Sequence, residues 1–177
     1  MIASQRWRLL GACAEVLREQ GYAGTTLARV TRTAAVSKAC LYRHFDGLPG
    51  CILATYGMTA DCVLGLVEGV CEAGPDSDAA LAEAVREVTV FLQAEPDLAH
   101  VLTDPALEDV PGVGAARDEF TSRCAAFLAS AKGRGGAAAA SRWQEHLVRG
   151  MQGWLCDRLA ASEASDRPVE LARILAL

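Results

Sequence analysis

Apolar residues recur at intervals of three and four along nearly the whole chain, and no strictly alternating stretch is bounded by hairpin turns. This pattern predicts an all-α protein of about nine helices. Trp7, Leu10, Ala14 and Leu17 put one apolar face on a helix over residues 4–20, which Gly21 stops. Thr25 and Thr26 offer hydroxyl caps to a short helix reaching Ala34, with Leu27, Val30 and Ala34 inward. Ala35 and Val36 make a tight turn. Ser37 then caps a third helix over residues 38–45, where Leu41 and Phe45 form a buried pair four residues apart. Three helices with a short turn between the second and third are a helix-turn-helix unit.

Pro49, in the break "DGLPG", suits the first turn of a long helix over residues 49–73. Its apolar content is Ile52, Leu53, Tyr56, Val63, Leu66, Val67 and Val70. Gly57, Gly65 and Gly69 lie inside it, each disfavoured by about 1 kcal/mol against alanine, which either close helix packing or a deformable lever would explain. Ser77 or Asp78 starts a helix to residue 95, and Pro96 opens a short one to residue 102. "TDPALEDVPGVG" reads as a loop. A helix over residues 114–132 carries Phe120, Cys124, Phe127 and Leu128. After the break "GRGG" a long helix runs to residue 160, and a last one begins near Pro168. The expected organisation is a head over residues 1–47 and a body over residues 48–177.

Charge divides along the same boundary. The total is −5, yet residues 1–50 hold seven Lys and Arg against three acids, a net +4, leaving −9 for the rest. A small cationic head on an acidic body fits a head that meets an anionic polymer. At 51% hydrophobic and 22% charged, the composition is that of a globular chain. No apolar run looks long enough to cross a bilayer, and "MIASQRWRLL" is not a secretion signal, so the expectation is a cytoplasmic protein with no membrane partner. Seven scattered cysteines show no zinc spacing and read as buried apolar residues, with a redox role for one or two as the alternative; Cys40 is the best placed. His100 and His146 lack metal-spaced partners, and no phosphate loop, nucleophile elbow or carboxylate pair appears. Neither enzymatic activity nor a cofactor is expected.

The third helix turns Lys38, Ala39, Tyr42 and Arg43 away from the Leu41 and Phe45 side, with Cys40 at the boundary. "TTLARVTRTAAVSKACLYRHF", preceded by "ACAEVLREQGYAGTTL", resembles the DNA-binding signature of TetR-type transcriptional repressors. The resemblance implies phosphate contacts by Thr26 and Ser37, a recognition helix presenting Lys38, Ala39, Cys40, Tyr42 and Arg43, and a phosphate held by His44. Helix N-termini offer free N–H groups to anions, and Lys38 and Arg43 could engage guanine edges or the backbone. This sequence departs from the pattern at Ala35, where glycine is favoured; a left-handed alanine costs about 1–2 kcal/mol. Thr31 replaces an alanine, Leu48 replaces a cation, and Ala28 and Ala39 are too short for polar base contacts, so the expected affinity is modest.

The resemblance further implies a homodimeric, ligand-responsive repressor on a (pseudo)palindromic operator, with double-stranded DNA and an unidentified small-molecule effector as partners. Leu147, Met151, Leu155, Leu159, Leu171, Ile174 and Leu175 form an apolar stripe suited to the dimer surface, with Gly150 and Gly153 allowing close approach. Met58, Cys62, Leu66, Phe91, Phe127 and Trp154 are the candidate effector-lining residues. The alternative is a dimeric all-α small-molecule-binding or protein-interaction module whose head no longer reads DNA.

Overall fold

The computed structural model describes residues 2–73 and 77–131. They form α1 (Ile2–Gly24), α2 (Leu27–Thr33), α3 (Lys38–His44), α4 (Gly47–Ala73), α5 (Ser77–Ala94), α6 (Pro96–Thr103), a 3-10 turn (Pro105–Asp109) and α7 (Val113–Ala131). No strand occurs among the described residues, so the fold is all-α as the periodicity predicts. The two helices expected near the end of the chain, with the stripe from Leu147 to Leu175, lie outside the described residues. The chain divides into two compact units: residues 1–60 with 95–117, and residues 61–94 with 118–177.

In the first unit, α1 buries Leu9, Leu10, Ala12, Cys13, Ala14, Val16 and Leu17. At 100° per residue these span one broad arc centred near Cys13. Trp7 falls just past the edge of that arc and is 57% exposed, which corrects its expected place on the apolar face. Gly21 breaks the helix with φ 65° and ψ 173°, a conformation that favours glycine. α1 packs against α2, α3 and α6, and Arg18 forms an ion pair with Asp97 of α6. Leu41 and Phe45 of α3 and Val30 and Ala34 of α2 complete the apolar centre of the helix-turn-helix.

The first half of α4 covers Cys51, Ile52, Thr55, Tyr56 and Thr59 within this unit. Both threonine hydroxyls donate to the carbonyl four residues back, Thr55 to Cys51 at 2.8 Å and Thr59 to Thr55 at 2.9 Å, so neither buried hydroxyl is left unpaired. By length and composition Gly47–Val70 is apolar enough to cross a membrane, against the expectation that no such run exists. Small residues and threonines hide that average from the eye, and half of the stretch is buried inside the protein. The segment "TDPALEDVPGVG", expected as a loop, contains the 3-10 turn. Pro105 supplies the preset φ of a first helical position, and Asp104 accepts a hydrogen bond from Ala106 N at 2.9 Å. Gly112 follows at φ 89°, where a side chain would also press to 3.0 Å from Leu53 Cδ2.

The second unit takes its buried residues from Val63, Leu64 and Val67 of α4, Ala84, Val88 and Leu92 of α5, and Phe120, Thr121, Cys124 and Ala125 of α7. On its surface Arg123 reaches Asp61 at 3.5 Å and Glu68 at 3.7 Å.

Candidate nucleic-acid interface

α2 and α3 have seven residues each, too few for an isolated helix to persist in water, so their ends and packing must fix them. Thr26 is extended and its hydroxyl accepts from Arg29 N at 3.3 Å; Ser37 does the same for Cys40 N at 3.2 Å. Thr25 is buried instead, donating its hydroxyl proton to Gly21 O at 2.7 Å. Of the two threonines offered as caps, Thr26 is the one that serves.

The turn between the helices closes with Ala35 N donating to Arg32 O and Val36 N to Thr31 O, both at 3.0 Å, the double bond of a Schellman motif. Ala35 sits at φ 50°, so the alanine does stand where the chain turns left-handed. Arg8 of α1 donates to Ala35 O at 3.4 Å and ties that turn to the first helix. Thr31, the bulkier stand-in for alanine, is buried, and its hydroxyl donates to Leu27 O at 2.9 Å.

On α3, Lys38, Ala39, Tyr42 and Arg43 are exposed, Tyr42 to 63%. Neither Lys38 nor Arg43 forms an ion pair among the described residues, so both cations are available to an outside anion. Cys40 is placed differently from these four. It is 5% exposed, packed beside Leu41, and its thiol hydrogen-bonds Gln5 Oε1 at 3.4 Å. His44, four residues on, shares that flank: it is half-buried, with its ring centroid 6.1 Å from that of Phe45. Its Nε2 is covered and has no hydrogen-bond partner among the described residues. Arg6 lays its guanidinium over the other aromatic, 5.4 Å from the Phe45 centroid. Leu48 is half-buried and offers no charge.

Of the candidate effector-lining residues, Met58 belongs to the first unit and is half-buried. Leu66 and Phe91 in the second unit are also half-buried, and Cys62 is exposed. Phe127 lies on α7 and Trp154 beyond it; the side chain of the first and the whole of the second are outside the described residues. The tie from Arg8 to the turn is the feature of this surface that the sequence gives no sign of, because it depends on where α1 crosses.

Residues 9–48 match the family model of bacterial regulatory proteins, tetR family. No curated protein matches the chain. Among solved structures, the fatty acid degradation regulator FadR from Bacillus halodurans superposes with a TM-score of 0.82 at 13% identity, over 97% of this chain and 94% of that one. A putative transcriptional regulator from Pseudomonas aeruginosa gives 0.80 at 18% identity, over 97% and 86%. FadR from Bacillus subtilis, in complex with stearoyl-CoA, gives 0.77 at 14% identity, over 96% and 94%. At these identities the likeness is one of fold. The family match coincides with the capped helix pair and its open cationic face, so residues 9–48 are similar to the helix-turn-helix segment of the tetR family of bacterial regulatory proteins.

Proposed function

We propose that the protein is a ligand-responsive repressor that acts as a homodimer on a (pseudo)palindromic operator. The observation that carries the reading is the outer face of α3, where Lys38, Tyr42 and Arg43 stand exposed with no internal ion pair. Lys38 and Arg43 meet bases or phosphates, Ala39 lets the helix approach closely, and Tyr42 packs against the groove wall. Thr26 and Ser37 place the helix starts against phosphates, and His44 supports the end of α3 from its half-buried position. Cys40 is behind this face and has no contact role. The cation lacking at Leu48 makes the head depend more heavily on Lys38 and Arg43.

One head offers few contacts, so specific binding calls for two heads on half-sites about 34–36 Å apart. The stripe from Leu147 to Leu175 supplies the dimer surface, and the body over residues 48–177 binds the effector and carries the head over residues 1–47. Met58, Cys62, Leu66, Phe91, Phe127 and Trp154 line the effector site. The effector acts to the extent that it favours the state that does not bind DNA. The protein works in the cytoplasm with no membrane partner. The complex of Bacillus subtilis FadR with stearoyl-CoA makes a long-chain acyl-CoA the first effector class to try.

A gel-shift titration against the DNA flanking the protein's own gene, repeated across salt concentrations, tests the reading. The wild type should bind with an affinity that falls steeply with salt, and Lys38→Ala with Arg43→Ala should cost at least tenfold. Retained affinity in the double variant would overturn the assignment of the α3 face. A wild type without a footprint at low salt would favour the module whose head no longer reads DNA.

A further inference from the structure

Three side chains from the first turns of α1 reach three successive points of the α3 segment. Arg8 donates to Ala35 O at 3.4 Å, in the turn that precedes the helix. Gln5 Oε1 accepts from the Cys40 thiol at 3.4 Å, in the first turn of the helix. Arg6 sets its guanidinium 5.4 Å from the ring centroid of Phe45, the residue that closes the helix. At about 100° per residue, Arg8, Gln5 and Arg6 come in that order over an arc of about 160° around α1. Ala35, Cys40 and Phe45 follow in the same order along the chain, so α3 lies across the beginning of α1.

The serine cap acts within α3, through Ser37 Oγ and Cys40 N, and keeps the helix wound. It does not fix where the helix points. That direction depends on the turn, which pivots on one left-handed alanine: Ala35 at φ 50°, a conformation that costs a side chain about 1–2 kcal/mol. A donor held against Ala35 O fixes the peptide that follows the pivot.

We infer that residues 5–8 of α1 aim the recognition helix, with Arg8 as the positioning residue at its pivot, a role that rests on the DNA-binding reading above. Without Arg8 the turn leaves its left-handed conformation more often. Lys38 and Arg43 are then less often in the pose that meets a groove. Arg8 holds the turn rather than the DNA, so its loss removes no phosphate contact.

Three variants of the full-length protein test this. Arg8→Met keeps an aliphatic stem and loses the donor, and Arg8→Lys keeps a donor. Arg18→Met removes one charge from the same helix, at the ion pair with Asp97 of α6, and serves as the control. Amide exchange by NMR reads the turn through Val36 N, which donates to Thr31 O at 3.0 Å. Arg8→Met should speed exchange at Val36 about fivefold while the amides in the middle of α4 keep their rates. Arg8→Lys should recover most of the protection, and Arg18→Met should leave Val36 unchanged. Unaltered exchange in Arg8→Met, or an equal rise in Arg18→Met, overturns the inference. In gel shifts Arg8→Met should bind DNA about fivefold more weakly at an unchanged salt slope. A slope shallower by about one phosphate contact would make Arg8 a DNA ligand and overturn its positioning role. Undiminished affinity in a variant whose turn has loosened would overturn it too. If the wild type binds no DNA at low salt, the repressor reading fails, and exchange at Val36 alone decides whether Arg8 holds the turn.

Discussion

α3 and α4 follow one another in the chain and hold their shape by different means. α3 has seven residues, a serine whose hydroxyl caps its start and two large apolar side chains, Leu41 and Phe45, turned to α1 and α2. α4 has 27 residues, a mostly apolar composition and three interior glycines. For α3, every stabilising feature is local and assigned to a single residue; for α4, burial is spread over many residues and no single one decides. Length explains the difference. One or two turns give too few hydrogen bonds to offset the ordering of the backbone, so a short helix depends on its ends and on one good anchor. It follows that the reading face of α3 is free to vary only because its opposite face and its cap are not.

The largest effect expected from this contrast is at the anchor. Leu41→Ala removes a fully covered side chain from the middle of the head and should destabilise the protein by about 2–5 kcal/mol in urea unfolding. Leu66→Ala in α4, half-buried, should cost less than half as much. Equal losses would show that α3 is no more dependent on one residue than α4 is.

The cap comes next. Ser37→Ala deletes the acceptor for Cys40 N and should cost about 1 kcal/mol, with a matching fall in DNA affinity because the first turn of α3 frays. Ser37→Asp keeps an acceptor and should restore stability while its charge repels phosphate. A variant stable as Asp and weak on DNA separates the two roles of Ser37; one that is weak in both respects would remove the cap from the account.

These local features were legible in the sequence for a physical reason. Thr26 and Ser37 act on backbone three residues away, Leu41 and Phe45 are one helical turn apart, and Ala35 occupies the residue that must turn between two helices. Their geometry is contained in a few consecutive residues. What was not legible depends on helices that cross. Trp7 has the right interval from Leu10 but falls off the arc that α2, α3 and α6 cover. Cys40 turns inward because Gln5 of α1 lies over its flank. Arg8 meets Ala35 across 27 residues. The apolar average of α4 is hidden in the sequence for another reason: its glycines and threonines interrupt every apolar run without lowering the mean enough.

A smaller effect is expected inside α4. Gly65 is exposed, and a methyl group added there meets no described atom within 4 Å. Close packing therefore does not account for it among the described residues, and Gly65→Ala should raise stability by up to about 1 kcal/mol through helix propensity alone. If the added stability also weakens the response of DNA binding to an effector, the glycine serves as the deformable point of a lever. If the response is unchanged, the lever is excluded at this position.

The smallest effect lies at the turn that joins the two short helices, and two opposing terms set its size. Ala35 is held at φ 50°, which costs an alanine about 1–2 kcal/mol relative to glycine. Glycine relieves that strain but makes the unfolded chain more flexible, which takes back about 0.5–1 kcal/mol. Ala35→Gly should therefore stabilise the head by about 0.5–1 kcal/mol, measurable as a higher urea midpoint with an unchanged slope. The backbone bonds that close the turn, from Ala35 N and Val36 N, involve no side chain and should survive, as should the one Arg8 gives to Ala35 O. A loss of stability would mean that the Arg8 tie and the packing around the turn already offset the left-handed alanine, so that the strain is compensated within α1 rather than stored at the start of the recognition helix.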